Sequence, residues 1–92
     1  MKLGRLLEGV RIETLVGDPD MEIESLTYDS RLALPGALFV ALRGHERDGH
    51  DYLEDAVRRG ASGLVAEDLR GIEGFGARVR VVDSREALSR LA

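Results

Sequence analysis

Residues 37–42 read Ala-Leu-Phe-Val-Ala-Leu, an unbroken apolar run with the length of one strand. A strand without polar positions is covered on both faces, as interior strands of α/β sheets are. Pro35-Gly36 precedes the run and supplies the fixed φ and the tolerance of positive φ that a tight turn requires. The run therefore predicts the middle strand of a sheet, entered through a Pro-Gly turn.

A polar loop, residues 43–51, follows the predicted strand and contains two Arg, two His and two Gly. Ligands of open α/β sheets bind beyond the carboxyl ends of the strands, where this loop would lie. Guanidinium groups and loop amides suit an anionic, hydrogen-bonding ligand. The pattern indicates a ligand-binding loop, with a solvated surface loop as the alternative.

The segments before the run predict a short helix and two strands. The helix ends near Gly9 and has an apolar face formed by Leu3, Leu6 and Leu7. Residues 11–16 and 21–26 lie on either side of the turn sequence Gly-Asp-Pro-Asp at 17–20. We interpret them as hairpin or edge strands, which place Tyr28 and its neighbours at a strand end.

The second half of the chain predicts further helices and strands. Asp51 and Glu54 have the spacing of a capping box, which starts a helix at 52–59, and Gly60 supplies its left-handed end. The remaining predicted elements are a strand at 62–66, a loop at 68–76, a strand at 78–82 and a helix capped by Asp83. Together the elements predict an α/β fold, a small mixed sheet of four or five strands with packed helices.

Length and composition predict one small domain over residues 1–92. The chain is 43% hydrophobic and 33% charged and carries a net charge of −4, which argues against nucleic acid because phosphate-binding surfaces are usually basic. No apolar run has the length of a membrane span or of a signal segment, so we expect a cytoplasmic protein with no membrane partner. Cysteine is absent, which excludes disulfides and thiolate chemistry.

Two kinds of catalytic site lack support in the sequence. The Walker phosphate loop is absent, the only lysine is Lys2, and no Gly-x-Gly-x-x-Gly run follows a strand, so we expect no ATP site. A hydrolase triad of Ser30, His45 and Asp29 is disfavoured because adjacent side chains point apart in an extended strand. The Gly-x-Ser-x-Gly elbow is also absent.

A metal site in the polar loop is disfavoured as well. His and carboxylate side chains between His45 and Asp51 are of the types that bind zinc or iron. However, Asp51 is already explained as a helix cap, and the loop has no cysteine. We predict no metal site, and we predict that His50 ties the loop to its surroundings through hydrogen bonds.

A set of ordered motifs resembles a known family. The motifs are Asp29-Ser30-Arg31, the strand from Pro35-Gly36 to Arg43-Gly44, Asp48-Gly49-His50-Asp51-Tyr52 and Gly60-Ala61. In this order they resemble, over nearly the whole chain, the N-terminal domain of the Mur ligases. The MurE type, the UDP-N-acetylmuramoyl-L-alanyl-D-glutamate ligases that add the third residue of the peptidoglycan stem peptide, is the most similar.

The resemblance implies a function for residues 1–92. They would form the UDP-sugar-binding N-terminal domain of an ATP-dependent ligase and would be catalytically inactive alone. The implied partners are UDP-N-acetylmuramoyl-L-alanyl-D-glutamate and a central ATPase domain of the same parent chain. The resemblance implies no cofactor for this domain, and ATP and Mg²⁺ for the full-length enzyme. The domain would contribute substrate positioning and none of the bond chemistry.

The resemblance also implies the site residues, which are Tyr28, Ser30, His45, Glu46 and Arg47, with Arg31 as a further candidate. Tyr28 offers an aromatic face to uracil, with a position in the core as the alternative. The Ser30 hydroxyl is expected to donate its proton to a phosphate or sugar oxygen, with charge supplied by Arg31 or Arg47. Glu46 and Arg47 are predicted to act through their backbone, and Asp29 and Arg31 to brace the turn.

Two other interpretations remain open. MurF-type ligases share the Pro-Gly strand and the Asp-Gly-His loop, whereas Ser30, His45 and the opening residues favour the MurE type. The third interpretation is a free-standing, non-catalytic α/β interaction module without a nucleotide ligand.

Overall fold

The computed structural model describes residues 1–44 and 46–92, and within them five strands form one mixed sheet in the order β1-β5-β4-β3-β2. The strands are β1 (Ile12–Val16), β2 (Ser25–Thr27), β3 (Ala37–Val40), β4 (Gly63–Ala66) and β5 (Ala77–Val81). The helices are α1 (Leu3–Leu6), α2 (Leu53–Arg59) and α3 (Ser84–Leu91), with 3₁₀ turns at Ser30–Leu32 and Gly49–Tyr52. The predicted α/β fold with a small mixed sheet and packed helices is confirmed.

The apolar run forms an interior strand but not the middle one. All four residues of β3 are buried, and β3 pairs in parallel with β2 on one side and β4 on the other. The middle position belongs to β4, which is also fully buried. Continuous apolarity predicts coverage on both faces, which every interior strand shares, so it does not specify the central one.

The predicted hairpin is wrong, although both of its strands lie at edges. Strand β1 pairs antiparallel with β5 at one edge, and β2 lies at the opposite edge. The intervening segment uses its backbone groups elsewhere: the Met21 carbonyl accepts from Leu3 N–H at 2.9 Å, and Ile23 N–H donates to the Met1 carbonyl at 2.8 Å. These bonds to the chain start carry the segment away from β1.

Two glycines bound the segment that contains β3 and α2: Gly36 precedes β3, and Gly60 ends α2. Gly36 has φ +92°, and Ala37 N–H donates to the Leu34 carbonyl at 2.9 Å, as in a type II turn with proline and glycine at its centre. Gly60 has φ +107° and ends α2 in a Schellman motif, in which Ala61 N–H reaches back to the Ala56 carbonyl at 3.0 Å. The predicted turn and helix stop are confirmed.

Two apolar clusters cover the two faces of the sheet. One packs α1 and α3 on the sheet, and the other packs α2 on the opposite face. The α3 helix begins as predicted, because Asp83 Oδ1 accepts from the N–H groups of Arg85 at 2.9 Å and Glu86 at 3.2 Å. Among the described residues, none of the helices has the length and apolarity needed to cross a bilayer.

Candidate ligand-binding groove

A groove of about 880 Å³ lies beyond the carboxyl ends of β2 and β3. The segment that follows β2, the polar loop and the helices α2 and α3 all contribute to its walls. Its polar and aromatic lining includes Tyr28, Ser30, Arg31, Arg47, Asp55, Arg59 and Arg85. Its position matches the place where open α/β sheets bind ligands, beyond the carboxyl ends of their strands.

Asp29 and Arg31 brace the turn that follows β2. Asp29 Oδ1 accepts from the Arg31 N–H at 3.0 Å, and Arg31 Nη2 donates to Asp29 Oδ2 at 2.8 Å. The Arg31 side-chain and backbone donors together hold the pKa of the Asp29 carboxyl below its ordinary value. The bracing role predicted for the pair is confirmed, and it commits part of the Arg31 guanidinium to Asp29.

Ser30 lies at the base of this turn, only 8% exposed, and faces α2. The Ser30 hydroxyl, and then the Arg59 guanidinium, hydrogen-bond the Asp55 carboxylate and hold its pKa below the ordinary value. Arg59 Nε lies 3.0 Å from Asp55 Oδ2. The Ser30 residue also lines the groove, and a hydroxyl oxygen has lone pairs that can accept from a donor on a ligand.

Tyr28 presents an aromatic side chain at the groove. It is 65% exposed, so the alternative of a core tyrosine is wrong. Exposure of a large aromatic ring beside a groove leaves one face for stacking on a planar ligand group.

The polar loop closes on itself beside the groove. Gly44 N–H donates to the Arg47 carbonyl at 2.9 Å, and Arg43 and Asp48 form an isolated antiparallel bridge. These bonds use the Arg47 carbonyl, while its exposed side chain lines the groove. Among the described residues, no carboxylate lies within 4 Å of the Arg47 guanidinium.

The predicted capping box at the start of α2 is wrong. Asp48, not Asp51, is the cap: its Oδ1 accepts from His50 N–H at 3.0 Å and opens the 3₁₀ turn Gly49–Tyr52 that leads into α2. The α2 helix itself begins at Leu53 with no side-chain cap. The 3₁₀ turn begins at Gly49, three residues before the predicted helix start, so the capping residue is Asp48.

His50 has the structural role predicted for it. Its side chain is 10% exposed, with Nδ1 2.7 Å from Asp48 Oδ1 and Nε2 accepting from the Glu67 N–H at 3.0 Å. Both ring nitrogens are therefore used in holding the loop against the end of β4. Gly49 is needed beside it, because an added Cβ would lie 2.5 Å from the Leu42 backbone nitrogen.

Of the predicted site residues, the structure brings Tyr28, Ser30, Arg31 and Arg47 together along the groove. Glu46 is exposed and does not line it, and His45 lies outside the described residues. Sequence reasoning missed Asp55, Arg59 and Arg85, which the helices contribute. The i,i+4 spacing of Asp55 and Arg59 indicates an ion pair on a helix, but it does not indicate that this pair faces the groove.

Among the described residues, the acidic side chains of the groove are not grouped as metal ligands. Within residues 1–44 and 46–92, no group of three or more His, Asp or Glu side chains is arranged to hold a metal ion. The carboxylates of the groove, Asp29 and Asp55, are both engaged by arginine.

Comparisons with known proteins identify the family. The profile described as "Mur ligase family, catalytic domain" matches residues 22–92. The chain belongs to the Mur ligase family, and it corresponds to the N-terminal domain of these ligases.

Several curated relatives carry the name UDP-N-acetylmuramoyl-L-alanyl-D-glutamate--2,6-diaminopimelate ligase. The relative from Phocaeicola vulgatus is 36% identical over 94 residues, and that from Clostridioides difficile is 34% identical over 92 residues. Each alignment covers 100% of this chain and 19% of the relative. A relative from Caldanaerobacter subterraneus is 39% identical over 93 residues. The chain thus spans about a fifth of the length of the curated relatives it matches.

Solved structures with the same fold include MurF ligases. MurF from Acinetobacter baumannii superposes with a TM-score of 0.78 at 29% identity, covering 98% of this chain and 20% of that one. The MurF ligase from Thermotoga maritima, solved in complex with ADP, gives a TM-score of 0.65 at 31% identity, with 74% and 16% covered. Both similarities support the α/β domain fold described above.

Proposed function

We propose that the groove binds UDP-N-acetylmuramoyl-L-alanyl-D-glutamate, as the substrate-docking domain of a MurE-type ligase. The observation that carries the proposal is the convergence of Tyr28, Ser30 and two arginines on one groove at the strand ends. An aromatic face, a hydroxyl and cationic donors match the base, sugar and diphosphate of a sugar nucleotide.

In the proposed complex the residues act by positioning. Tyr28 stacks on the uracil, and the Ser30 oxygen, oriented by Asp55, accepts a hydrogen bond from a ligand hydroxyl or ring N–H. Arg31 and Arg47 supply donors and positive charge to the diphosphate, and contacts from the loop residues His45 and Glu46 remain predictions from the family resemblance. Holding the substrate in one orientation removes much of the entropy cost of the later chemical step.

The chemistry is assigned to the rest of the parent protein. A central domain with ATP and Mg²⁺ would activate the D-glutamate carboxylate as an acyl phosphate, which the incoming diamino acid attacks. We propose that this reaction takes place in the cytoplasm, and that the 92 residues alone are catalytically inactive. The matched relatives, about five times longer, support this division of labour.

MurF-type function is the second candidate, favoured by the superposition on MurF structures. The names of the curated relatives favour the MurE type, because they specify addition of 2,6-diaminopimelate to the muramoyl dipeptide. The two types differ in the peptide that the substrate carries. Equal affinity of this chain for the UDP-linked dipeptide and the UDP-linked tripeptide would show that the remaining domains of the parent protein distinguish the two peptides.

Calorimetric titration with UDP-N-acetylmuramoyl-L-alanyl-D-glutamate tests the proposal. We expect saturable binding to the wild-type chain and weaker binding to Ser30→Ala, by a factor of up to about ten for one lost hydrogen bond between uncharged groups. Ser89→Ala is the matched control, because Ser89 is exposed on α3 and does not line the groove. Equal affinities for both variants would remove Ser30 from the site, and no binding to the wild type would refute the proposal.

A further inference from the structure

Arg85 is a groove residue to which no role has been assigned. It lies in the first turn of α3, and its side chain lines the same groove as Arg47. Arg85 Nη2 donates to the Arg43 carbonyl at 3.1 Å. This bond places the guanidinium beside the polar loop, at the point where the loop leaves β3.

The acidic neighbours of Arg85 are engaged elsewhere. Asp83 accepts from the first amides of α3, and both carboxylate oxygens of Glu86 are bound by Arg11 at 2.7 and 2.8 Å. Within the described part of the chain, no carboxylate lies within 4 Å of the Arg85 guanidinium. Arg85 therefore presents an uncompensated positive charge to the groove.

The other groove arginines divide into two groups. Arg31 is paired with Asp29 at 2.8 Å, and Arg59 is paired with Asp55 at 3.0 Å. Arg85, like Arg47, has no such partner among residues 1–44 and 46–92. An anion entering the groove gains most from unpaired guanidinium groups, because a paired one must first give up its carboxylate.

We propose that Arg85 binds the diphosphate of the sugar nucleotide, an inference that rests on the proposed function. A guanidinium has five N–H donors, and the bond to Arg43 occupies one of them. The remaining donors match the planar, two-oxygen geometry of a phosphate group. The α3 helix, which follows β5, thus contributes a ligand contact to a groove whose other walls follow β2 and β3.

Titration of four proteins with two ligands tests this inference. UDP carries the diphosphate without the muramoyl carboxylate, and UDP-N-acetylmuramate carries both. We expect Arg85→Gln to weaken the binding of both ligands about tenfold. Arg85→Lys should weaken it less, because lysine keeps the positive charge but lacks the planar pair of donors that a guanidinium presents. Arg90→Gln removes the same charge from the exposed last turn of α3 and should match the wild type.

Uridine, which has no phosphate, separates ligand contact from a structural effect. If Arg85 only braced the loop, Arg85→Gln would weaken uridine and UDP by the same factor, and the inference would be wrong. A loss seen with UDP-N-acetylmuramate but not with UDP would assign Arg85 to the carboxylate and would also overturn it. Unchanged affinity in Arg85→Gln refutes the inference alone, whereas a wild type that binds neither nucleotide refutes the proposed function with it.

Discussion

The Nε2 atom of His50 accepts a hydrogen bond from the backbone N–H of Glu67 at 3.0 Å, which joins the loop after β3 to the end of β4. Because Nε2 accepts, the ring proton is on Nδ1, which donates to Asp48 Oδ1 at 2.7 Å. Glu67 in turn accepts from Arg43 Nε at 3.0 Å and from the Ser84 N–H at 2.9 Å. His50 and Glu67 thus connect the segments that follow β3, β4 and β5.

His50→Ala is expected to destabilise the fold by about 1–3 kcal/mol, because it leaves the partly buried Glu67 N–H without its acceptor. Urea unfolding of the variant and the wild type measures the difference. Glu46→Ala, an exposed change in the same loop, should alter the free energy of unfolding by no more than about 0.5 kcal/mol. Equal effects of the two changes would contradict the structural role of His50.

Gly49→Ala is expected to destabilise the fold strongly. Its Cβ would lie 2.5 Å from the nitrogen and 2.7 Å from the oxygen of Leu42, and a backbone neighbour cannot move aside as a flexible side chain can. Gly74→Ala is the matched control, because an added Cβ there meets nothing within 4 Å. Thermal melting should show a clearly lower Tm for the first variant alone, and a similar Tm for both would contradict the close approach.

Ser30→Ala should raise the pKa of the Asp55 carboxyl toward its ordinary value. The Ser30 hydroxyl is the main cause of the lowered pKa, and Arg59 continues to lower it in the variant. Carboxyl ¹³C NMR titration measures both states. An Asp55 titration that is identical in the variant and the wild type would show that Ser30 does not donate to Asp55.

Stability should fall in acid. The carboxyls of Asp29, Asp48 and Asp55 have pKa values below the unfolded value of 3.8, for Asp48 mainly because the His50 N–H donates to it. The folded state therefore binds fewer protons, so this stabilisation is complete above the unfolded pKa and is lost as the pH falls through the folded values. Urea unfolding between pH 7 and pH 2 measures the loss, and Asp48→Asn should make the profile flatter. A pH-independent free energy of unfolding would contradict this account.

The fold was largely predictable because each element is encoded locally. Apolar runs identified β3 and β4 as buried, and Gly60 identified the end of α2 through its left-handed conformation. Strand partners were not predictable for β1, because the residues of an exposed edge strand do not specify which neighbouring strand supplies its hydrogen bonds. In the structure β1 pairs with β5, while residues 19–23 form hydrogen bonds with the chain start.

The site was predictable only in part, for a related reason. Tyr28, Ser30 and Arg31 are contiguous, so one motif identifies all three. Asp55 lies on α2, which follows β3, and Arg85 lies on α3, which follows β5. Whether these side chains line the groove depends on how the two helices pack on the sheet. Asp48 was overlooked as a cap because Asp51 satisfied the same spacing rule, and a 3₁₀ turn before α2 gives no separate sequence signal.

Amide chemical-shift mapping by ¹H–¹⁵N NMR tests the central claim, binding of the cell-wall precursor in this groove, most directly. Addition of UDP-N-acetylmuramoyl-L-alanyl-D-glutamate should shift the amides of Ser30 and Arg31, and those of Gly44 and Arg47 in the loop, while ATP at the same concentration should leave them much less affected. Amides of residues 71–75, outside the groove, serve as the internal reference. Unshifted groove amides, or equal shifts with ATP, would contradict the claim and favour an interaction module without a nucleotide ligand.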